Sequence, residues 1–355
     1  MRNEINGMQP DALRAWMQKL NEPAFRGSQL FTHFHKHKKT LNDPVKGFPK
    51  GLQEKIAQAA DVGEAVITES IASADGSAVK HALTLTDGQV VEAVTMQYPN
   101  HSTLCISTQV GCAMGCAFCA STKQGLFRNI TAAEMAAQFY AAENEKGSPI
   151  QNLVLMGIGE PLQNYDETVR ALRILHHPDG RGLSCRNITL STCGIVPQML
   201  RLAKEELPIN LVISLHAATD EKRRKIMPIA KEYSIADVIR AADTYFEQTG
   251  RRISYEYTII PGVNDTPEDV EQLSALLRGK QAHINLIAYH PIKEYRQEKP
   301  DRKAMHAFAA RLMRKGIRTT VRKSIGLSEE GACGQLRARG ERRQEVMNGN
   351  STTNR

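Results

Sequence analysis

A regular alternation of strand-like and helix-like segments runs through most of this sequence and limits the folds open to it. Short apolar runs such as NLVLMGIG, NITLSTCG, NLVISLHA and HINLIAY are separated by amphipathic stretches such as NYDETVRALRILHH and SIADVIRAADTYFEQTG. Strands that alternate with helices in this way form parallel sheets with crossover helices. We therefore expect an α/β core, a barrel or an open sheet, with its chemistry at the strand ends.

The sequence before this core divides into two parts. Residues 1–62 carry apolar residues at three- and four-residue intervals, as in PDALRAWMQKL, and predict a helical amino-terminal domain. Residues 63–98 alternate apolar and polar residues around the turns ADGS and TDGQ, which predicts a short antiparallel β extension. Residues 99–336 form the predicted core, and residues 337–355 are a polar tail.

Charge and hydropathy narrow the function classes only a little. The net charge of +8 and the pI of about 9.1 favour a polyanionic partner without proving one. The second helical segment carries His33, His35 and His37 among other basic residues, which predicts either a solvated helix face or a contact for phosphates. No apolar run has the length of a membrane span and the start lacks a signal-peptide pattern, so we expect a cytoplasmic protein with no membrane partner.

Three clustered cysteines carry the strongest chemical signal. Cys112, Cys116 and Cys119 lie in GCAMGCAFC at the spacing C-x3-C-x2-C. Structural zinc takes four ligands, usually from two C-x2-C pairs, and no second pair or nearby histidine completes such a set here. In a [4Fe–4S] cluster, three protein thiolates leave one iron open to a cofactor. The odd total of seven cysteines also argues against a disulfide framework: Cys105, Cys112, Cys116, Cys119, Cys185, Cys193 and Cys333.

The cysteine motif resembles that of the radical S-adenosylmethionine superfamily. The resemblance implies a partial (βα)6-type barrel, a [4Fe–4S] cluster on the three cysteines, and S-adenosylmethionine on the open iron. The protein then positions the cofactor's radical and excludes water. It further implies that segments at strand ends bind S-adenosylmethionine: Gly159 and Glu160 in MGIGEPL, Ser191 in LSTCG, Ser214, Leu215 and His216 in ISLHA, and His290 in LIAYHPI.

A more specific resemblance covers nearly the whole chain. The motifs TLCISTQVGC, CAFCAST, GIGEPL, SLHA, IMPI, PGVND, INLI and ACGQL, in this order, resemble those of the RlmN/Cfr family of radical S-adenosylmethionine RNA methyltransferases. The resemblance implies an enzyme that methylates an adenosine of 23S ribosomal RNA at C2, with tRNA as a further candidate. It also implies an RNA-binding helical domain and a flavodoxin-type electron donor, and we expect a monomer.

The chemistry of adenine accounts for extra catalytic cysteines. Adenine C2 is an sp² carbon without nucleophilic character, so direct transfer of a methyl cation to it is unfavourable. By resemblance, Cys333 takes a methyl group from one S-adenosylmethionine to form S-methylcysteine, and a second molecule supplies the radical. Glu92 matches the family's proton acceptor, and Cys105 would release Cys333 from the adduct through a transient disulfide. Without the family, Glu92 would be interpreted as an exposed residue of an alternating strand.

Some alternatives stay open at this point. His290 stands where most family members have asparagine, and EEGACGQL replaces the more usual acidic-alanine run before the cysteine. These differences leave C8 methylation and another RNA target as rivals. From a different class, the rival is a zinc-stabilised RNA-binding protein without catalysis, which would leave Cys105, Cys333 and the GIGE segment unexplained.

Overall fold

The computed structural model describes residues 4–322, and it begins with a helical region. The predicted helices are confirmed as α1 (Pro10–Lys19), α2 (Phe25–His35) and α3 (Lys50–Ala59). Helices α1 and α2 pack closely because Gly27 has no side chain: a Cβ there would lie 2.5 Å from Arg14 N. Cys333 and the polar tail lie outside the described residues.

Within residues 4–322, ten strands form one mixed sheet in the order β1-β2-β3-β4-β7-β8-β9-β10-β11-β12. Neighbours from β1 to β4 are antiparallel, and neighbours from β4 to β12 are parallel. The β extension and the α/β core therefore share one continuous sheet. The strands are β1 (Ala65–Ala72), β2 (Ala78–Leu85), β3 (Val90–Gln97), β4 (Ser102–Ile106), β7 (Asn152–Leu155), β8 (Ile188–Thr192), β9 (Asn210–Ser214), β10 (Ile253–Ile259), β11 (Ala282–Ala288) and β12 (Thr319–Val321), while β5 (Gln109–Gly111) and β6 (Leu126–Asn129) form a separate hairpin.

Crossover helices connect the parallel strands, as the alternation in sequence predicts. Three of them begin with a capping box in which a hydroxyl and an acidic residue satisfy each other's backbone N–H groups: Thr131 with Glu134, Ser234 with Asp237, and Thr266 with Asp269. The helices of the core are α4 (Ala132–Lys146), α5 (Tyr165–His176), α6 (Val196–Leu202), α7 (Asp220–Ile226), α8 (Ile235–Thr249), α9 (Pro267–Leu277) and α10 (Arg302–Arg314).

The two faces of the parallel strands have different environments. One face is apolar and lies in the main hydrophobic core, where Leu104 and Leu153 are fully buried. The opposite face, here called the inner face, carries polar side chains such as Thr189, Asn210 and Ser254, which line open pockets on this face. A parallel sheet with helices outside and a polar interior fits the predicted partial barrel. Among residues 4–322, no helix is long and apolar enough to span a membrane.

Candidate active site

The three-cysteine loop lies between β5 and β6, directly after the first parallel strand. Gly111 and Gly115 adopt positive φ of 78° and 66°, which lets the chain turn sharply on both sides of Cys112. Thr122 Oγ1 donates hydrogen bonds to the carbonyls of Cys116 and Cys119, at 3.2 and 3.0 Å. These contacts fold the loop back on itself and bring the three cysteines together.

All three thiols line one cavity of about 980 Å³ at the carboxyl ends of the parallel strands. Burial raises the pKa of Cys112 to about 12 and also raises the pKa values of Cys116 and Cys119. No three His, Cys, Asp or Glu side chains in residues 4–322 are grouped as the ligands of a single metal ion would be. Three thiols around one cavity match the number of protein ligands in a [4Fe–4S] cluster that leaves one iron open.

The loop after β7 places the Glu160 carboxylate in the wall of this cavity. Glu160 Oε2 accepts a hydrogen bond from Cys193 N at 2.8 Å, and Oε1 accepts one from Leu162 N at 3.0 Å. Burial raises the pKa of Glu160, while these donors oppose the shift. Gly159 has φ of 109°, and a Cβ there would lie 2.6 Å from Gln109 Cβ. Only glycine fits this position without displacing its neighbour.

A polar chain crosses the inner face below the cysteine loop. Ser191 Oγ lies 3.2 Å from Ser214 Oγ and donates to Glu256 Oε2 at 3.4 Å. On its other side, Glu256 Oε1 accepts a hydrogen bond from Arg322 Nη1 at 3.0 Å. The two serines were predicted from the sequence as cofactor-binding residues, whereas Glu256 was not. The alternation Ser254, Glu256, Thr258 within ISYEYTII would have indicated an inward-facing carboxylate.

His216 contacts the cysteine loop from the end of β9. Its ring lies 4.8 Å from the ring of Phe118 in an edge-on arrangement, and its Nδ1 accepts a hydrogen bond from Thr258 N at 3.0 Å. Burial lowers the pKa of His216 to about 3, so the ring is neutral at pH 7 with its proton on Nε2. His290 also lines the cavity, whereas the Leu215 side chain lies in the main core. A cofactor contact from Leu215 would have to use its backbone.

Glu92 and Cys105 lie on neighbouring strands of the same sheet face. In the antiparallel register of β3 and β4, Cys105 is opposite Val94, two residues after Glu92. Cys105 packs against Val94, Ile158 and Met156, and Met156 also lines the cavity. Glu92 is buried, which rules out the interpretation of an exposed strand residue. The structure thus places both predicted catalytic residues on the inner face, and Cys105 adjoins the cavity through Met156.

Several basic residues singled out in the sequence are not at the surface. His33 and His35 on α2 are buried, so the expectation of a solvated helix face was wrong for these two residues, although His33 lines the groove beside α2. Arg223 in EKRRKIMP is fully buried and donates to the carbonyls of Cys193 and Leu215 at 2.6 and 3.1 Å. Its role is to hold the strand ends together.

Cys193 is a further cavity residue that the sequence did not reveal. The sequence offers no ligand motif around Cys185 or Cys193, which predicts that both are small buried apolar residues. Cys185 is buried in the main core. Cys193 is also buried, but it lines the cavity, and its Sγ lies 3.3 Å from Met114 Sδ in the cysteine loop. The six cysteines within residues 4–322 are free thiols.

Comparisons with known proteins agree with this arrangement. The family model described as "Radical SAM superfamily" matches residues 106–277. A "Probable dual-specificity RNA methyltransferase RlmN" from Finegoldia magna is 42% identical and covers 95% of this chain and 97% of its own. The protein of the same name from Symbiobacterium thermophilum is 43% identical over 96% of this chain. The crystal structure of a radical SAM methyltransferase from Sphaerobacter thermophilus superposes with a TM-score of 0.89 at 38% identity and covers 95% of this chain.

The fold and the three-cysteine cavity define a radical S-adenosylmethionine enzyme. Identity above 40% over almost the full length of the curated relatives is decisive for the family. The chain belongs to the RlmN/Cfr family of radical S-adenosylmethionine RNA methyltransferases. This membership confirms the predicted resemblance and the predicted class of enzyme.

The family implies a [4Fe–4S] cluster and S-adenosylmethionine, and the cavity residues fit both groups. Cys112, Cys116 and Cys119 provide three thiolate ligands around one space. The opposite wall offers the Glu160 carboxylate and the Ser191 and Ser214 hydroxyls, which suit an ammonium group and ribose hydroxyls. The donor set is thus complete for a cluster that binds its fourth ligand from the cofactor.

Proposed function

We propose that this enzyme methylates C2 of an adenosine in 23S ribosomal RNA, with tRNA as a second substrate. The observation that supports the proposal is the shared sheet face of Glu92 and Cys105, of which Cys105 packs against Met156 in the wall of the three-cysteine cavity. A simple cluster protein needs neither a buried carboxylate nor an extra thiol there. The name of the curated relatives, dual-specificity RNA methyltransferase, supports an RNA substrate.

Two molecules of S-adenosylmethionine would act in each turnover. Together with the cluster, they supply one methyl group and one carbon-centred radical. In this proposal Cys112, Cys116 and Cys119 hold the cluster, while Gly159, Glu160, Ser191, Ser214, Leu215, His216 and His290 hold the cofactor. A neutral His216 with its proton on Nε2 is a hydrogen-bond donor toward the cavity.

Three residues would carry the chemistry on the RNA. Cys333, outside the described residues, carries the methyl carbon as a thioether and becomes linked through that carbon to C2. The Glu92 carboxylate accepts the proton that leaves C2. The Cys105 sulfur, having lost its proton, would then attack the Cys333 sulfur to form a disulfide. The bond between the Cys333 sulfur and the transferred carbon breaks, its electron pair goes to that carbon, and the carbon takes up a proton to become the methyl group. Burial raises the pKa of Cys105 to about 12, so the thiol must lose its proton during this step.

The helical amino-terminal region, residues 1–62, would contact the RNA. A groove of about 1180 Å³ beside α2 is lined by His37, Lys39 and Lys46, with no acidic residue in its lining. Cations along a groove are the expected partners of an RNA backbone. The target adenine would have to leave its stack to reach the cavity, so base flipping is part of the proposal. We expect the enzyme to act in the cytoplasm as a monomer. A flavodoxin-type protein would supply its electrons.

Mass spectrometry of RNA digests tests the proposal directly. Nucleosides from 23S rRNA and from tRNA would be compared between cells with and without this chain, and between wild-type and Cys116→Ala enzyme. We expect loss of a methyladenosine that co-elutes with the 2-methyl standard in both RNAs. Co-elution with the 8-methyl standard would overturn the assignment to C2, and unchanged methyladenosine in both RNAs would overturn the RNA substrates.

A further inference from the structure

A buried lysine lies against the carboxylate of Glu92. Lys80 on β2 points to the inner face, and its Nζ lies 2.8 Å from Glu92 Oε1. The two side chains are 5% and 7% exposed. The contact has the length of an ion pair, but it lacks the alignment of a hydrogen bond. Among residues 4–322, Lys80 Nζ has no hydrogen-bond acceptor.

The sheet register puts Lys80 in line with Cys105. Lys80 is opposite Val94, and Val94 is opposite Cys105, so these residues form one row across β2, β3 and β4. Glu92 precedes Val94 by two residues and shares its face. An ammonium, a carboxylate and a thiol therefore occupy one small area of the inner face.

The apolar surroundings make the Lys80–Glu92 ion pair unfavourable for the free energy of folding. Ala78, Val94, Cys105 and Ile158 form an apolar cluster at the same place in the sheet. Buried ion pairs are seldom better for stability than apolar side chains of the same volume, because both charges lose their hydration. Removal of one partner from a buried ion pair leaves the other charge buried without compensation, which is strongly unfavourable. Lys80 supplies a charge opposite to that of the Glu92 carboxylate at 2.8 Å.

We propose that Lys80 is a positioning residue for Glu92: its ammonium pairs with the carboxylate and fixes it beside the row that contains Cys105. The inference rests on the proposed role of Glu92 as proton acceptor. In the step concerned, the bond between C2 and hydrogen breaks, its electron pair stays on the adenine adduct, and Glu92 takes up the proton. The proton then passes to water, and the contact with Lys80 holds the carboxylate in place for the next turnover.

The test compares Lys80→Met and Lys80→Arg with the wild type, using reconstituted enzyme and RNA labelled with deuterium at adenine C2. We expect Lys80→Met to lower kcat by about a hundredfold, the lower end of the range for a general base. The KM for RNA and the iron content should stay unchanged. A deuterium isotope effect on kcat should appear or increase, because removal of the proton becomes slower. Lys80→Arg, which keeps the charge, should recover most of the rate.

Matched variants separate this inference from the proposed function and from a folding defect. Lys280→Met removes an ion pair with Asp243 at the opposite end of the strands and should leave kcat unchanged. If Lys80→Met does not fold, the double variant Lys80→Met, Glu92→Gln removes both charges and should fold but lack activity. Wild-type kcat and isotope effect in Lys80→Met, beside an inactive Glu92→Gln, would overturn the role of Lys80 alone. Full activity in Glu92→Gln would instead overturn the proposed role of Glu92.

Discussion

Glu160 Oε2 accepts a 2.8 Å hydrogen bond from the backbone N–H of Cys193, which ties the loop after β7 to the end of β8. The other carboxylate oxygen is occupied by Leu162 N. Both oxygens thus act as acceptors for the protein, and the residue lines the cavity wall. This arrangement fixes the carboxylate before a cofactor binds.

Glu160→Gln should therefore weaken S-adenosylmethionine binding more than tenfold. The amide nitrogen of glutamine would face one of two N–H donors, and the lost hydrogen bond costs about 1–3 kcal/mol. The negative charge that we expect to bind the cofactor's ammonium is lost as well. Equilibrium binding of S-adenosylmethionine to the reconstituted protein measures the effect, with iron content as the control. Wild-type affinity in this variant would contradict the assignment.

Substitution of any of the three clustered cysteines should prevent cluster assembly, whereas substitution of Cys185 in the main core should not. Cys112→Ala, Cys116→Ala and Cys119→Ala each remove one thiolate, so anaerobic reconstitution should give a protein with little iron and no brown colour. Cys185→Ala removes a thiol from the main core and should keep its full cluster. Iron and sulfide analysis distinguishes the two groups. A normal cluster in any of the three loop variants would remove that cysteine from the ligand set.

Variants of the two proposed catalytic cysteines, Cys333 and Cys105, should block the methylation reaction at different steps. Cys333→Ala cannot accept the methyl group, so it should abolish methylation while the cluster still assembles. Cys105→Ala leaves no thiol to release Cys333 and should trap protein covalently linked to RNA. Denaturing gels of reactions with labelled RNA detect the trapped species. Free, fully methylated RNA at the normal rate from Cys105→Ala would exclude the proposed role of that thiol.

The strands and the cysteine loop could be predicted because their signals are local. The apolar runs of β7 to β11 and the C-x3-C-x2-C spacing are each contained in a few residues. By contrast, α6 (Val196–Leu202) and α7 (Asp220–Ile226) have only seven residues, too few for a clear helical period. Both helices were missed in the sequence.

The buried polar residues were missed for a different reason. Arg223 is fully buried because carbonyls at the ends of β8 and β9 converge on it, and the Cys193 carbonyl after β8 lies 30 residues away in sequence. His35 is buried because α2 packs it beside Tyr140 on α4. Such partners come together only in the folded chain, so the burial of a basic residue cannot be predicted from the sequence around it. The pairing of Lys80 with Glu92 belongs to the same class.

Gly159 should tolerate no side chain, in contrast to a glycine of similar conformation elsewhere. Gly159→Ala places a Cβ at 2.6 Å from Gln109 Cβ in addition to a strained φ of 109°. We expect a loss of about 3 kcal/mol in the free energy of unfolding and loss of S-adenosylmethionine binding. Gly182→Ala also has a positive φ, of 67°, but its Cβ would meet open space, so it should cost only about 1 kcal/mol. Equal losses in the two variants would contradict the steric argument.

Acid should destabilise the protein partly through His35. Burial lowers the pKa of His35 to about 3, and the neighbouring His177 adds to the shift. The folded state therefore binds fewer protons than the unfolded state between about pH 3 and 6.5, and stability falls as the pH drops through this range. One such histidine contributes a slope of up to about 1.4 kcal/mol per pH unit. Urea unfolding of wild type and His35→Gln at pH 7, 6 and 5 should show a shallower loss in the variant, whereas parallel curves would mean that His35 is charged in the folded protein or neutral in both states.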